Sequence, residues 1–324
     1  MPEATPSPHC IVLDWGTTNF RAVLVDASGT ILDRIETQDG IQSVPKSGFE
    51  AALAERIAPW WAAHGLLPIY ASGMIGSRNG WVEMPYVAAP AGIEDFAKAV
   101  RRVALRDGGS ILFIPGLTDT AVKPFADVMR GEETQLVGFG LDRDATVVLP
   151  GTHSKWARIA QGRIASFRTF VTGEIFGIVS RHSFLSQVAK PQALPDWTAF
   201  ARGLDTARDP KAASGLLSRL FSVRTGWLAG ELDAGEMTDY LSGLVVGSEF
   251  REARELGWFK EGQEVGIIGA ELMAEVYRRA AEAFGLKPRL GPTDAAMRGC
   301  LAIAKVAESS GRQAKAKPAA GVTS

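Results

Sequence analysis

Two stretches of this chain repeat one plan, and that repetition restricts the fold more than any other feature. IVLDWGTTNFRAVLVDASGTIL, residues 11–32, reads as an apolar strand ending near an acid, a Gly-Thr-Thr turn, a second strand, and a Ser-Gly turn into a third. VVLPGTHSKWARIAQGRIASF, residues 147–167, returns to that order: strand, Gly-Thr turn, strand, Gly-containing turn, strand. A single strand, Gly-Thr, strand phrase is ordinary scaffold. Two copies, each heading one of two similar-sized halves, predict one supersecondary unit used twice.

The remaining segments alternate. PIYAS, SILFIP and EVGIIG read as further strands, and FEAALAERIAPWW, IEDFAKAVRRVAL, EETQLVGFG, GEMTDYLSGLVVGSEFREARELG, AELMAEVYRRAAEAFG and TDAAMRGCLAIAKVAES as amphipathic helices. Such alternation predicts an α/β fold. Leu272, Val276, Ala280 and Phe284 recur every fourth residue and predict one apolar stripe. Pro59 predicts a kink or an early end to the first helix.

Size and composition fit two domains. Of 324 residues 46% are hydrophobic, and 35 basic side chains face 36 acidic ones, so the expectation is a soluble globular protein without a nucleic-acid footprint. A half-chain of this length buries roughly 70% of its unfolded surface, so neither disulfide nor metal staple is required. Cys10 and Cys300, the only cysteines, lack C-x-x-C spacing and point to a reducing cytoplasm without structural zinc. No apolar run approaches the ~20 residues of a membrane span, and the start lacks signal-peptide order. Pro, Ser, Ala and Gly dominate both ends, which predicts unstructured tails at 1–9 and 309–324.

The doubled turn has a chemical use. Glycine lets the backbone approach a ligand, and successive N–H groups then form a concavity for anionic oxygens. Gly16, Thr17 and Thr18 form one such turn, and Gly151 and Thr152, with His153, Ser154 and Lys155 following, form the other. Facing each other across a cleft, the pair would hold the β- and γ-phosphates of ATP. Asp14, at the end of the first strand, is placed to hold Mg²⁺, which favours one or two carboxylates plus phosphates and waters. A turn-capping role is the alternative for Asp14.

DWGTTNFR resembles the first phosphate motif of the actin-like ATPase superfamily of sugar kinases and ATPase chaperones, and PGTHSKW stands where the second belongs. SGMIGSRNGWVEMPY (72–86), MRGEETQLVG (129–138) and RTFVTGEIFGIVSRHS (168–183) narrow this. Together with GTHSKW they closely resemble the 2-dehydro-3-deoxygalactonokinase family over about residues 10 to 305. The resemblance implies two ribonuclease-H-like domains around an interdomain cleft, expected at 10–143 and 144–308. It also implies ATP-dependent phosphorylation of the terminal hydroxyl of 2-keto-3-deoxy-galactonate. The superfamily's second motif often has Asp where this chain has Pro150, which leaves more of the metal role to Asp14.

The resemblance also suggests roles for individual residues. In the larger carbohydrate kinases a Gly-Asp-Gln-Gln phrase supplies the catalytic base, and Gly131-Glu132-Glu133-Thr134 occupies its place here. Glu132 is the expected base and Glu133 the reserve, while a first-turn acid pair favouring a helix N-terminus would explain one of them equally well. The substrate carboxylate calls for Arg, whose fork binds both oxygens, and Arg21, Arg78, Arg168 and Arg181 lie in the resembling phrases. Asn79, Trp81, Glu83, Thr172 and Glu174 are further substrate candidates, with Trp81 also readable as core. IIGAELMAEVY resembles the adenosine motif, where Gly269 and Ala270 would allow close approach. Two other readings stay open: a kinase for another sugar or sugar acid, and a chaperone-like ATPase that switches partners. Oligomeric state is not legible.

Overall fold

The structure, a computed structural model, describes residues 7–210 and 215–316, with side chains described as far as residue 310. The first hairpin unit forms as β1 (Pro8–Trp15), β2 (Phe20–Asp26) and β3 (Ile31–Thr37), followed by α1 (Phe49–His64) and β4 (Ile69–Ser72). Then come β5 (Tyr86–Ala88), α2 (Ile93–Ala99), β6 (Arg101–Ala104), β7 (Ser110–Phe113), β8 (Gly116–Asp119), β9 (Asp127–Met129) and α3 (Glu132–Phe139). The second hairpin unit is β10 (Ala145–Leu149), β11 (Ser154–Ala160) and β12 (Arg163–Phe170). Helices α4 (Thr172–His182), α5 (Leu185–Val188), α6 (Trp197–Arg208), α7 (Leu216–Leu220), α8 (Ser222–Leu228) and α9 (Met237–Glu255) follow. The chain ends with β13 (Glu264–Ile267), α10 (Glu271–Ala283), β14 (Lys287–Leu290) and α11 (Ala295–Ala316).

Two sheets dominate. The six-stranded one runs β3-β2-β1-β4-β7-β6, with β1, β4 and β7 parallel and the hairpin β1-β2-β3 antiparallel. The five-stranded one runs β12-β11-β10-β13-β14, with β10, β13 and β14 parallel. β5, β8 and β9 form a small third sheet. Burial explains the sequence patterns. Central β1 buries Ile11, Val12, Leu13 and Trp15, an unbroken apolar run, whereas edge strand β3 exposes Asp33 and Arg34.

The chain divides into two compact units. Among the described residues, one comprises those up to Asp144, with Ile159–Ser166 and those from Asp294; the other comprises Ala145–Arg158 and those of Phe167–Thr293. In the first, Trp15 meets Phe20 and Phe49 edge-on at 4.8 and 5.6 Å. In the second, Trp156, Phe250, Phe259, Tyr277 and Phe284 form the aromatic centre. The last helix, α11, thus belongs to the first unit, not to the 144–308 domain expected from order along the chain. It lies on α3 through glycines: a Cβ at Gly299 would stand 1.8 Å from the Thr134 carbonyl oxygen, and one at Gly138 1.9 Å from that of Ala295. Gly299→Ala should therefore push the helices apart and cost about 1–3 kcal/mol, read as a lower thermal midpoint; an unchanged midpoint would disprove that close approach.

Four local expectations need correction. The helix expected over 93–105 stops at Ala99, and Arg101–Ala104 pairs with β7 as an edge strand, because ladder bonds and the contact of Val103 with the core outweigh local helical spacing. Leu272 is 55% exposed while Val276, Ala280 and Phe284 are buried. A step of four residues overshoots a turn by about 40°, so the three steps from Leu272 to Phe284 walk about 120° around the helix. Of the two outcomes expected at Pro59, the early end does not occur: α1 runs through it to His64, before Gly65, whose φ of 72° suits a helix terminus. β1 starts at Pro8 and α11 reaches Ala316, because the final residues include Ala, Gln, Lys and Arg, all good helix formers. The other residues of the two expected tails, 1–6 and 317–324, lie outside the described residues.

Candidate active site

In the first unit three segments meet around Asp14. On β1, Asp14 is opposite Arg21 of β2 and beside Ser72 of β4, and its Oδ2 lies 3.3 Å from Arg21 Nη1. The turn that follows is closed by a hydrogen bond from Gly16 N–H to the Asn19 carbonyl, 2.9 Å, and leaves Thr17 and Thr18 exposed. It is held from behind: Ile41 N–H donates to Gly16 O at 3.0 Å, and a Cβ on Gly40 would strike Thr17 O at 2.2 Å. At the end of β4, Gly73 takes φ 90°, and a Cβ there would approach Asp14 Oδ1 to 3.0 Å. Gly131, φ 110°, then sits so close to Gly73 that its own Cβ would be 3.3 Å from the Gly73 Cα. The two glycines let the start of α3, carrying Glu132 and Glu133, close on Asp14.

The two glutamates differ in environment. Glu133 is fully buried, and both its oxygens accept from Gly131 N–H, at 3.0 and 2.7 Å. Burial, with the Glu132 charge adding to it, pushes its carboxyl up to about 8. Glu132 is half-buried and accepts from Arg130 N–H at 3.0 Å. Burial also raises the Asp14 carboxyl, with Arg21 opposing the shift.

Arg130 is a residue that motif reading passes over. Its guanidinium is buried, donates from Nη2 to the Met84 carbonyl at 2.9 Å and lies 4.4 Å over the Tyr86 ring, while Nε and Nη1 have no partner. It fastens the 72–86 segment to the start of α3. The available signal is its place beside two acids in MRGEE. Within 72–86, Arg78, Asn79 and Glu83 are exposed. Trp81 is stacked 6.5 Å from Phe49 and edge-on to Phe113 at 5.8 Å, so core packing accounts for it.

In the second unit, Gly151, Thr152 and His153 are exposed on the turn between β10 and β11, and Ser154 and Lys155 are buried. Lys155 Nζ donates to the His153 carbonyl at 2.9 Å. Helix α4 grips this turn: Glu174 N–H donates to Thr152 O at 2.9 Å and Glu174 Oε2 lies 2.8 Å from His153 Nε2. A Cβ on Gly173 would fall 2.4 Å from Gly151 O. Thr172 is buried and donates to Glu249, so Thr172 and Glu174, read from sequence as substrate contacts, both support the turn. Arg168 is half-buried on β12, and the exposed Arg181 turns back on α4 to the Gly177 carbonyl. Gly269 lies next to Pro150, its added Cβ 3.4 Å from the ring, and Ala270 leads into α10. The second turn and the expected adenosine segment therefore share the carboxyl ends of neighbouring parallel strands β10 and β13, the usual ligand edge of such sheets.

A family model described as 2-keto-3-deoxy-galactonokinase matches residues 14–303. The chain belongs to that family. A Rhizobium meliloti (strain 1021) protein named "Probable 2-dehydro-3-deoxygalactonokinase DgoK1" is 36% identical over 93% of this chain and 97% of its own length. The 2-dehydro-3-deoxygalactonokinase of Escherichia coli (strain K12) is 31% identical over 85% and 90%. A crystal structure of a candidate 2-dehydro-3-deoxygalactonokinase from Sinorhizobium meliloti has a TM-score of 0.80 and 32% identity over 93% of this chain and 99% of its own. The activator of 2-hydroxyisocaproyl-CoA dehydratase from Clostridium difficile, at 11% identity and TM-score 0.51, shares the fold alone. Members of the 2-keto-3-deoxy-galactonokinase family are sugar-acid kinases, phosphotransferases with an alcohol acceptor, and the fold is that of actin-like ATPases and sugar kinases. Among the described residues no helix is long and apolar enough to cross a membrane, and no three His, Cys, Asp or Glu form a metal cluster.

Proposed function

We propose that this chain transfers the γ-phosphoryl group of ATP to the terminal hydroxyl of 2-dehydro-3-deoxy-D-galactonate, giving the 6-phosphate and ADP, in cytoplasmic D-galactonate breakdown. The observation that carries this reading is the convergence of Asp14, Gly73 and Gly131 that sets a half-buried Glu132 near Asp14, two residues before the first Gly-Thr turn. The groups exposed at Thr17 and Thr18 offer donors to phosphate oxygens; in the second unit those at Gly151 and Thr152 do the same, and the surface at Gly269 and Ala270 takes an adenosine. Glu132 accepts the proton of the acceptor hydroxyl as that oxygen attacks phosphorus, while ADP departs. Arg78, Asn79 and Glu83 offer exposed groups to the sugar acid, and an arginine among Arg21, Arg78 and Arg168 pairs with its carboxylate.

Asp14 suits Mg²⁺ in its donor chemistry, because this ion needs only one or two carboxylates when phosphates and waters complete its shell. When bound, the ion would spread negative charge from the phosphoryl oxygens. Arg21, already paired with Asp14, is the group it would displace or share with.

The test is ADP release from Mg-ATP with a panel of neutral hexoses, aldonates and 2-keto-3-deoxy-aldonates. Turnover is expected with the 2-keto-3-deoxy-aldonates and highest with the galacto epimer. Turnover confined to neutral sugars would reject the substrate class. ADP release independent of any acceptor would favour an ATPase.

A further inference from the structure

We infer that Glu249, buried in α9 of the second unit, is a positioning residue for nucleotide binding: one carboxylate bonded to β11, α4 and α10 holds the Gly151 turn and the adenosine segment in a single arrangement. Its exposure is 3%. Oε1 accepts from Trp156 Nε1 at 2.8 Å, and Oε2 accepts from the Tyr277 hydroxyl at 2.7 Å. The Thr172 hydroxyl also donates to it, and the Ser154 hydroxyl, which donates to the Phe170 carbonyl at 3.5 Å, lies beside it.

Each of these residues belongs to an element of the nucleotide reading on which this inference rests. Ser154 is the first residue of β11, directly after the exposed Gly151, Thr152 and His153, and Trp156 follows on the same strand. Thr172 opens α4, and the next two residues touch the turn, Gly173 against Gly151 O and Glu174 through Thr152 O and His153. Tyr277 lies on α10, the helix that follows Gly269 and Ala270. Donors from three elements thus converge on one carboxylate.

Burying a carboxylate is unfavourable, and burial does raise its protonation tendency while its donors oppose it. Well-packed apolar residues would fill such a place at lower cost. What an apolar side chain lacks is direction. Two oxygens with donors from Trp156, Tyr277 and Thr172 fix where each element points, and a displacement of one donor strains the others.

The test uses the full chain carrying Glu249→Gln, with Tyr277→Phe as the milder change. Dissociation constants for ATP and ADP are measured by calorimetry, and KM for ATP and for the sugar acid are measured with kcat. Gln keeps the size but turns an acceptor into a donor facing other donors. Losing one bond to a charged group is worth about tenfold in binding, so the expected result is ATP Kd and KM raised about tenfold or more by Glu249→Gln. Tyr277→Phe should raise them several-fold, and KM for the sugar acid should stay unchanged in both. Unchanged ATP affinity in the folded variants, or equal losses for both substrates, would overturn the inference. If Glu249→Gln does not fold, Tyr277→Phe decides in the same way. A parent protein that binds no nucleotide would remove the kinase reading itself, and this inference with it.

Discussion

Glu132→Gln should lower kcat by about 10²–10⁴-fold, the usual contribution of a positioned general base. The amide keeps the length and the hydrogen bond from Arg130 N–H but cannot take a proton at the attacking hydroxyl. KM for ATP should move little, because Glu132 faces the acceptor side in the proposed arrangement. The comparison with Glu133→Gln sharpens the test. Glu133 is sealed and spends both oxygens on Gly131 N–H, so its replacement should leave kcat within a few-fold of the parent. A Glu132→Gln enzyme that retained nearly full kcat would assign the proton to another group.

Glu133 should instead govern stability as a function of pH. Its carboxyl is raised from 4.5 to about 8 on folding, so the native state holds a proton that the unfolded chain gives up. The associated stability is complete below the unfolded value and is lost as pH rises through the folded one. Between about pH 4.5 and 8 the parent should lose on the order of 3–5 kcal/mol relative to Glu133→Gln, because each tenfold difference in proton affinity between the folded and unfolded chains is worth about 1.4 kcal/mol. Denaturant midpoints of both proteins at pH 5, 6.5 and 8 measure this. A parent-minus-variant stability difference that stayed constant, or that rose with pH, would refute the buried neutral carboxyl.

Much of this is legible in the sequence, for a physical reason. The two hairpin units announce themselves because strand periodicity and Gly-Thr turns are local, and both appear where the repeat places them. What the chain hides is which way a side chain faces. Trp81 could serve core or ligand equally well in one dimension; its neighbours Phe49 and Phe113 are distant in sequence and settle it for the core. Thr172 and Glu174 read as substrate candidates from their phrase alone; in the fold they belong to the first turn of α4, where Glu174 meets His153 of the second hairpin unit. α6 escapes a pattern search because Gly203 reads as a breaker. In the fold that glycine admits the α9 backbone, where a Cβ would meet Tyr240 O at 2.1 Å. Glu249 gives no local signal at all, since its partner Trp156 is 93 residues away.

The return of α11 to the first unit sets an order of events. Its inner side presents Cys300, Ile303 and Ala304, all buried, and it meets α2, α3, β1 and β4. A ribosome releases that helix only after the whole second unit. The unit that holds Asp14 and Glu132 therefore stays open while the second is being made, and an amino-terminal fragment cut at Asp144 would leave a strip of its interior bare to water and prone to self-association.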